Sequence, residues 1–258
     1  MSKNCWNWNR LNGPPTVAEP VAIISQNLLK IQQRLAEAAA ASGRDPAQVR
    51  LVAVTKYLPP ALVPALIEAG ARDLGESRPQ QLWSKVAALE DRQPADVRWH
   101  LVGHLQRNKI RRTLPLVDLI HSVDSPRLLA AIDHEAAATG RIVPVLLEVN
   151  ISGDQEKHGF APKELPGLLP RLAESTHVAI GGLMTMAHRQ GGPDVARRDF
   201  AALRRLSEQL GAEAPANVRL SELSMGMSGD FEEAVREGAT LVRIGRALFE
   251  GLLPPADA

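Results

Sequence analysis

A lysine one residue beyond a run of apolar positions is the first group in this chain with chemistry of its own. Leu51, Val52, Ala53 and Val54 lead into Thr55-Lys56-Tyr57. At the end of a buried strand such a lysine would be partly desolvated, which lowers its pKa and frees the amine to attack a carbonyl. A side chain that snorkels to water is the plainer alternative. Two later segments bear on the choice. Ser224-Met225-Gly226-Met227-Ser228-Gly229 offers hydroxyls and backbone N–H groups in a tight turn. Arg243-Ile244-Gly245-Arg246 leads into a short helical stretch through Phe249, whose first N–H groups lack intrahelical partners. With Lys56 these loops suit a small molecule carrying an aldehyde at one end and a phosphate at the other; otherwise the glycines only permit turns.

Other polar clusters weigh less. His100 and His104 have the spacing of a helical metal pair, but they fall on a strand and its following loop, where that spacing does not bring them together, so no metal site is expected. Lys157 and His158, before Gly159, read as part of a solvated loop unless the fold turns them inward. Gly75-Glu76-Ser77 and Gln106, Asn108 and Lys109 suit pocket lining or helix caps equally. Neither a G-x-S-x-G elbow nor a Walker loop is present.

The elements that must position these groups form a regular series. Eight β-branched or apolar runs stand at 49–54, 71–75, 97–103, 116–122, 143–150, 177–185, 218–224 and 239–245. The segments between them are long enough for crossover helices and too long for hairpins, so the sheet should be parallel. Eight such units in 258 residues predict a single closed (β/α)8 TIM barrel, with a doubly wound open sheet as the other arrangement of the same pieces. In a barrel the residues just after each strand line the site, and the loops after strands seven and eight form the usual phosphate corner. Val21, Ile24, Leu28, Ile31, Leu35 and Ala38 recur at three and four, an opening helix that Gly43 would cap. The expected division is a loose arm over 1–20, with Trp6 and Trp8 packed on the barrel or on a second subunit, and one barrel domain over 21–258.

Composition excludes several classes of function. With 30 basic and 29 acidic residues the net charge is +1, which gives no field to gather nucleic acid or an anionic membrane. No stretch approaches the roughly 18 apolar residues of a membrane span. Cys5 is the single cysteine, so no intrachain disulfide forms and a cytoplasmic location is expected. The partners expected are small molecules or other proteins.

The ordered motifs V-A-V-T-K (52–56), G-E-S (75–77), W-H-L-V-G-H-L-Q-R-N-K (99–109), N-I-S-G-D-Q-E-K-H-G-F (150–160), G-L-M-T-M (182–186), L-S-M-G-M-S-G-D (223–230) and R-I-G-R-A-L-F (243–249) carry a resemblance over about residues 21 to 250. The chain resembles the YggS/PROSC-type pyridoxal phosphate homeostasis proteins, relatives of the barrel half of alanine racemase. The resemblance implies a fold-type III barrel that holds pyridoxal 5'-phosphate (PLP) as a Schiff base on Lys56. Ser224, Gly245 and Arg246 would hold the phosphate and Arg243 would face the pyridine nitrogen, with Ser77, Met184, Gly226 and Lys157 also at the cofactor. An arginine at the ring nitrogen disfavours its protonation and makes the cofactor a poorer electron sink. The family often has Asn where Ser77 stands, and a second lysine where this chain has Leu58. Lys157 matches the family's loop lysine, and a second amine near the aldehyde would aid cofactor exchange.

The function so implied is that of a carrier, a monomer or weak homodimer without catalytic residues, which binds PLP reversibly and supplies it to apo-enzymes. A PLP-dependent racemase of low activity is the alternative. Racemases of the related kind take a second acid/base from a C-terminal β-domain, and Tyr57 is the only tyrosine here. A Schiff-base aldolase using Lys56 without a cofactor is a third reading.

Overall fold

The computed structural model describes residues 18–89, 92–154, 156–172, 174–188, 191–215 and 218–253. Cys5, Trp6 and Trp8 lie outside these residues. The opening helix, α1 (Ala18–Ala41), starts three residues inside the expected arm. Its stripe of Ile24, Leu28, Ile31, Leu35 and Ala38 is buried, as a spacing of three and four on one helical face requires. Gly43 follows with φ of +69° and returns its N–H to the Ala40 carbonyl.

Eight strands then close into a parallel barrel in chain order: β1 (Arg50–Val54), β2 (Asp73–Glu76), β3 (Arg98–Leu101), β4 (Leu119–Val123), β5 (Val143–Glu148), β6 (Val178–Met184), β7 (Glu222–Ser224) and β8 (Leu241–Ile244). Each falls within or one residue beyond a run read from the sequence. Parallel barrel strands are covered on both faces, so they read as nearly continuous apolar segments. The seam is set by Val52 opposite Arg243 and Ala53 opposite Ile244. The crossovers carry helices α2 (Val63–Glu68), α3 (Pro79–Leu89), α4 (Ile110–Thr113), α5 (Pro126–Ala137), α6 (Leu165–Leu172), α7 (Gly192–Glu213) and α8 (Phe231–Arg236). A 3-10 turn at Arg246–Phe249 follows β8, and α1 packs on it, on α8 and on α2.

Two cores result. The larger lies between strands and helices and includes Leu66, Leu74, Trp99, Ile120, Leu183 and Phe200. The smaller is inside the barrel, where Val52, Leu146, Met184 and Leu241 pack together. Val102, Leu119 and Met186 pack against it, and the hydrogen bonds of the buried polar groups decide what stands beneath the mouth.

Candidate functional site

The chain leaves β1 at Val54, and Thr55 folds inward while the N–H of Leu58 returns to the Thr55 carbonyl at 2.8 Å. This turn lifts Lys56 and Tyr57 over the rim, so Lys56 is exposed and not desolvated as the sequence suggested. The Lys56 Nζ stands 5.0 Å from the centre of the Tyr57 ring, and the Arg246 guanidinium 5.8 Å from it. Hydrogen bonding and charge from Lys56, then from Arg246, hold the Tyr57 phenol below its ordinary value. Tyr57 thus joins the lysine after β1 to the arginine after β8.

The turn after β7 forms the adjacent corner. Gly226 has φ of +89°, and a Cβ there would meet the Ala234 Cβ at 2.6 Å, so glycine is required for the loop to lie against α8. The Met227 N–H donates to Asp230 Oδ1 at 2.6 Å and the Gly245 N–H donates to Ser228 Oγ at 3.3 Å. The hydroxyl that faces the β8 turn is therefore that of Ser228. Ser224, placed on the phosphate by the sequence reading, is fully buried on β7 and its hydroxyl is engaged elsewhere.

That engagement is a chain of buried hydrogen bonds across the barrel. Arg243 NH1 donates to Ser224 Oγ at 2.7 Å, Ser224 Oγ pairs with His121 Nδ1 at 2.7 Å, His121 Nε2 with His100 Nδ1 at 2.9 Å, and His100 Nε2 with Asp73 Oδ1 at 2.9 Å. Burial raises Asp73, but the hydrogen bond from His100 and the Arg98 guanidinium outweigh it and hold the carboxylate below its ordinary range. An ionised Asp73 requires the proton of His100 on Nε2. Burial above all, with the nearby Arg243 cation, keeps His121 well below its ordinary value of 6.5 and therefore neutral. One assignment then satisfies every partner: His121 Nε2–H donates to His100 Nδ1 and Ser224 Oγ–H donates to His121 Nδ1. The reverse direction would leave the Ser224 proton facing only the Arg243 donor. Ser224 consequently points its proton inward and its lone pairs at Arg243.

Arg243 is held a second time by the Thr185 carbonyl, which accepts from NH2 at 2.8 Å. Desolvation pushes its pKa down to about 10, against the attraction of Glu148 and Asp230, which still leaves a cation at neutral pH. Glu148, at the end of β5, is raised by burial and by the charge of Asp124. A second buried unit supports Lys56 from below. Lys85, on the apolar stripe of α3, pairs with Glu76 and donates to the Thr55 carbonyl at 2.6 Å. Glu76 also accepts from the Ser77 N–H at 2.7 Å.

The remaining sequence candidates divide. Ser77 is half-buried, its hydroxyl 3.3 Å from Glu76 Oε1. Met184 is buried in the interior apolar cluster. The Lys157 ammonium donates to Ser152 Oγ at 3.0 Å and to the Met186 and Ala187 carbonyls at 3.3 and 3.0 Å, which uses its three protons. His100 and His104 are separated as expected, one inside the barrel and the other on its rim. Sequence reading missed Asp73, His121, Lys85 and the role of Ser228. The available signals were a histidine inside the apolar run 116–122, a lysine in register with Leu82 and Leu89, and the second hydroxyl of the 224–229 turn.

Comparison with known proteins gives matches over most of the chain. The family described as alanine racemase, N-terminal domain, matches residues 26–253. The chain is 38% identical over 229 residues to the pyridoxal phosphate homeostasis protein of Pseudomonas aeruginosa, covering 89% of this chain and 96% of that protein. A structure of an unknown protein from Bifidobacterium adolescentis superposes with a TM-score of 0.84 at 37% identity, over 93% of this chain and 100% of the other. PipY of Synechococcus elongatus, solved with PLP bound, gives a TM-score of 0.77 at 36% identity over 88% and 99% of the two chains.

Proposed function

Because the chain belongs to the alanine racemase N-terminal domain family and, within it, to the pyridoxal phosphate homeostasis proteins, we propose that it binds PLP at this mouth and passes it on without strong catalysis of its own. The residues fit the group. Lys56 offers an exposed amine for covalent attachment of the aldehyde, the Ser228 hydroxyl with Gly226, Gly245 and Arg246 forms a corner for the phosphate, and Arg243 lies on the strand beside β1 to meet the pyridine ring. Bound PLP supplies an aldehyde reactive to amines and a ring able to take up electrons from attached carbon.

The observation that carries the reading is the buried cationic Arg243, fixed by Ser224 and Thr185. A guanidinium fixed there opposes a proton on the ring nitrogen, so carbanion chemistry gains little. Exposure of Lys56 lets solvent and competing amines reach the attachment point, which suits release to apo-enzymes. Lys157 would have to leave three acceptors to act as a second amine in exchange. The geometry therefore favours Lys157 as a strut between the loops after β5 and β6.

A racemase of low activity has one observation in its favour, the Tyr57 phenol next to Lys56. The test is to incubate the PLP-loaded protein with an apo-enzyme, and separately with L-alanine and D-alanine. Recovery of the apo-enzyme's activity without isomer interconversion is expected; interconversion lost in Tyr57→Phe, with no recovery, would make the protein an enzyme. Among the described residues no helix is long and apolar enough to cross a membrane, and a cytoplasmic site of action is part of the same proposal.

A further inference from the structure

Across the mouth from the phosphate corner, the residues after β3, β4 and β5 converge. His104 Nδ1 lies 3.0 Å from Asp124 Oδ2, and His158 Nδ1 lies 3.9 Å from the same oxygen. The two imidazoles stack at 4.6 Å with an interplanar angle of 19°, and each has its Nδ1 as the atom nearest Asp124 Oδ2. One ligand atom from each residue falls within 4.8 Å of the others.

The backbone under each ligand is fixed. Ser125 Oγ, at the N-cap of α5, donates to Asp124 Oδ1 at 2.9 Å and leaves Oδ2 facing the histidines. Ser122 Oγ holds the Gly103 carbonyl at 2.7 Å, just before His104. The loop bearing His158 is closed by the Asn150 N–H to the Phe160 carbonyl and the Phe160 N–H to the Glu148 carbonyl, and is tied to the β6 loop by Lys157. Gly159, next to His158, has φ of +118°, and a Cβ there would meet Asn150 N at 2.9 Å, so the return of the chain needs glycine.

A hydrogen bond from His104 to Asp124 needs neither the second imidazole nor its orientation toward the same oxygen. Two imidazole nitrogens and one carboxylate oxygen on three separately anchored segments are a donor set for a borderline divalent metal, with coordination positions left open to water or to an outside ligand. A carboxylate oriented by a hydroxyl donor on its other oxygen is the usual outer support of such sites.

We propose that His104, Asp124 and His158 form a binding site for a divalent transition metal ion of the zinc, cobalt or nickel type at the rim of the barrel. The site is built from residues other than those assigned to PLP, and it stands or falls independently of that assignment. Direct titration of the full-length, metal-free protein with Zn2+ is the test, with Co2+ as a spectroscopic probe whose visible d–d bands report nitrogen and oxygen ligands. One saturable equivalent is expected. His104→Ala and His158→Ala should each weaken Zn2+ binding at least about tenfold, whereas His134→Ala, an exposed histidine on α5, should leave it unchanged. The same titration on Lys56→Ala separates protein ligands from chelation by bound PLP, and retained affinity is expected there. Absence of saturable binding, persistence of binding in the double histidine variant, or its loss in Lys56→Ala would each overturn the site.

Discussion

The inside of the barrel and its rim are built on opposite rules. Inside, Asp73, His100, His121, Ser224 and Arg243 are buried and paired end to end, and Lys85 with Glu76 makes a second sealed unit. At the rim, Lys56, Tyr57, Arg246 and Met227 are open to solvent. Buried polar groups are expensive to leave unmatched, so the interior can hold only one arrangement of protons and one position of the Arg243 cation. Exposed groups bear little of the protein's stability, and the proposed covalent link to Lys56 would form and break there at small cost to the fold. The contrast suits the proposed carrier, in which the interior would fix the electronic character of the ligand and the rim would keep its attachment reversible.

Disruption of the sealed side should produce the largest effects. Lys85→Met leaves the fully buried Glu76 carboxylate without its cation, and a loss of about 3–5 kcal/mol in urea denaturation is expected. His121→Phe leaves His100 Nδ1 without a donor and the Ser224 proton without an acceptor, at a cost of about 3 kcal/mol. A cost below that of an ordinary surface substitution in either variant would mean that the interior is not the closed network described.

The same network gives stability a pH dependence. The folded protein keeps His121 neutral, mainly through burial, while the unfolded chain takes up a proton there below its ordinary value of 6.5. The unfolded state then binds more protons, so stability falls as the pH drops below about 6.5, by roughly 1.4 kcal/mol per pH unit for this one group. Glu148, raised mainly by burial, acts in the opposite sense, because the folded state holds its proton to higher pH than the unfolded chain does. The difference in slope between wild type and His121→Phe from pH 6.5 to 5 isolates the histidine; equal slopes would show that it titrates normally.

The smallest effect sharpens the boundary between the two regions. Ser228→Ala should weaken binding of PLP, or of inorganic phosphate in competition with it, by about 1 kcal/mol, some fivefold, with stability within about 0.5 kcal/mol of wild type. Ser224→Ala should do the reverse in emphasis and lower stability first, because its hydroxyl joins His121 to Arg243. The opposite pattern in paired affinity and denaturation measurements would return the phosphate to Ser224, where the sequence had put it.

These differences mark how far the sequence was legible. All eight strands could be read because a parallel barrel strand is apolar on both faces and stands out against polar loops. The opening helix could be read because its buried stripe has helical spacing. Lys56 was legible as an amine at a strand end; its exposure was not, because it depends on the turn in which Leu58 returns to Thr55. Ser224 and Ser228 differ by four residues in one turn, and only the packing of Gly226 against α8 decides which hydroxyl faces β8. His104, Asp124 and His158 follow three different strands, so no local spacing could join them.

The central claim is tested most directly by locating the cofactor on the chain. The purified protein is loaded with PLP, reduced with borohydride and mapped by mass spectrometry. The phosphopyridoxyl group should be found on the peptide containing Lys56, and Lys56→Ala should carry none while folding normally. Label that is absent from the wild-type protein, or that resides on Lys157 or another lysine and persists in Lys56→Ala, would contradict the account.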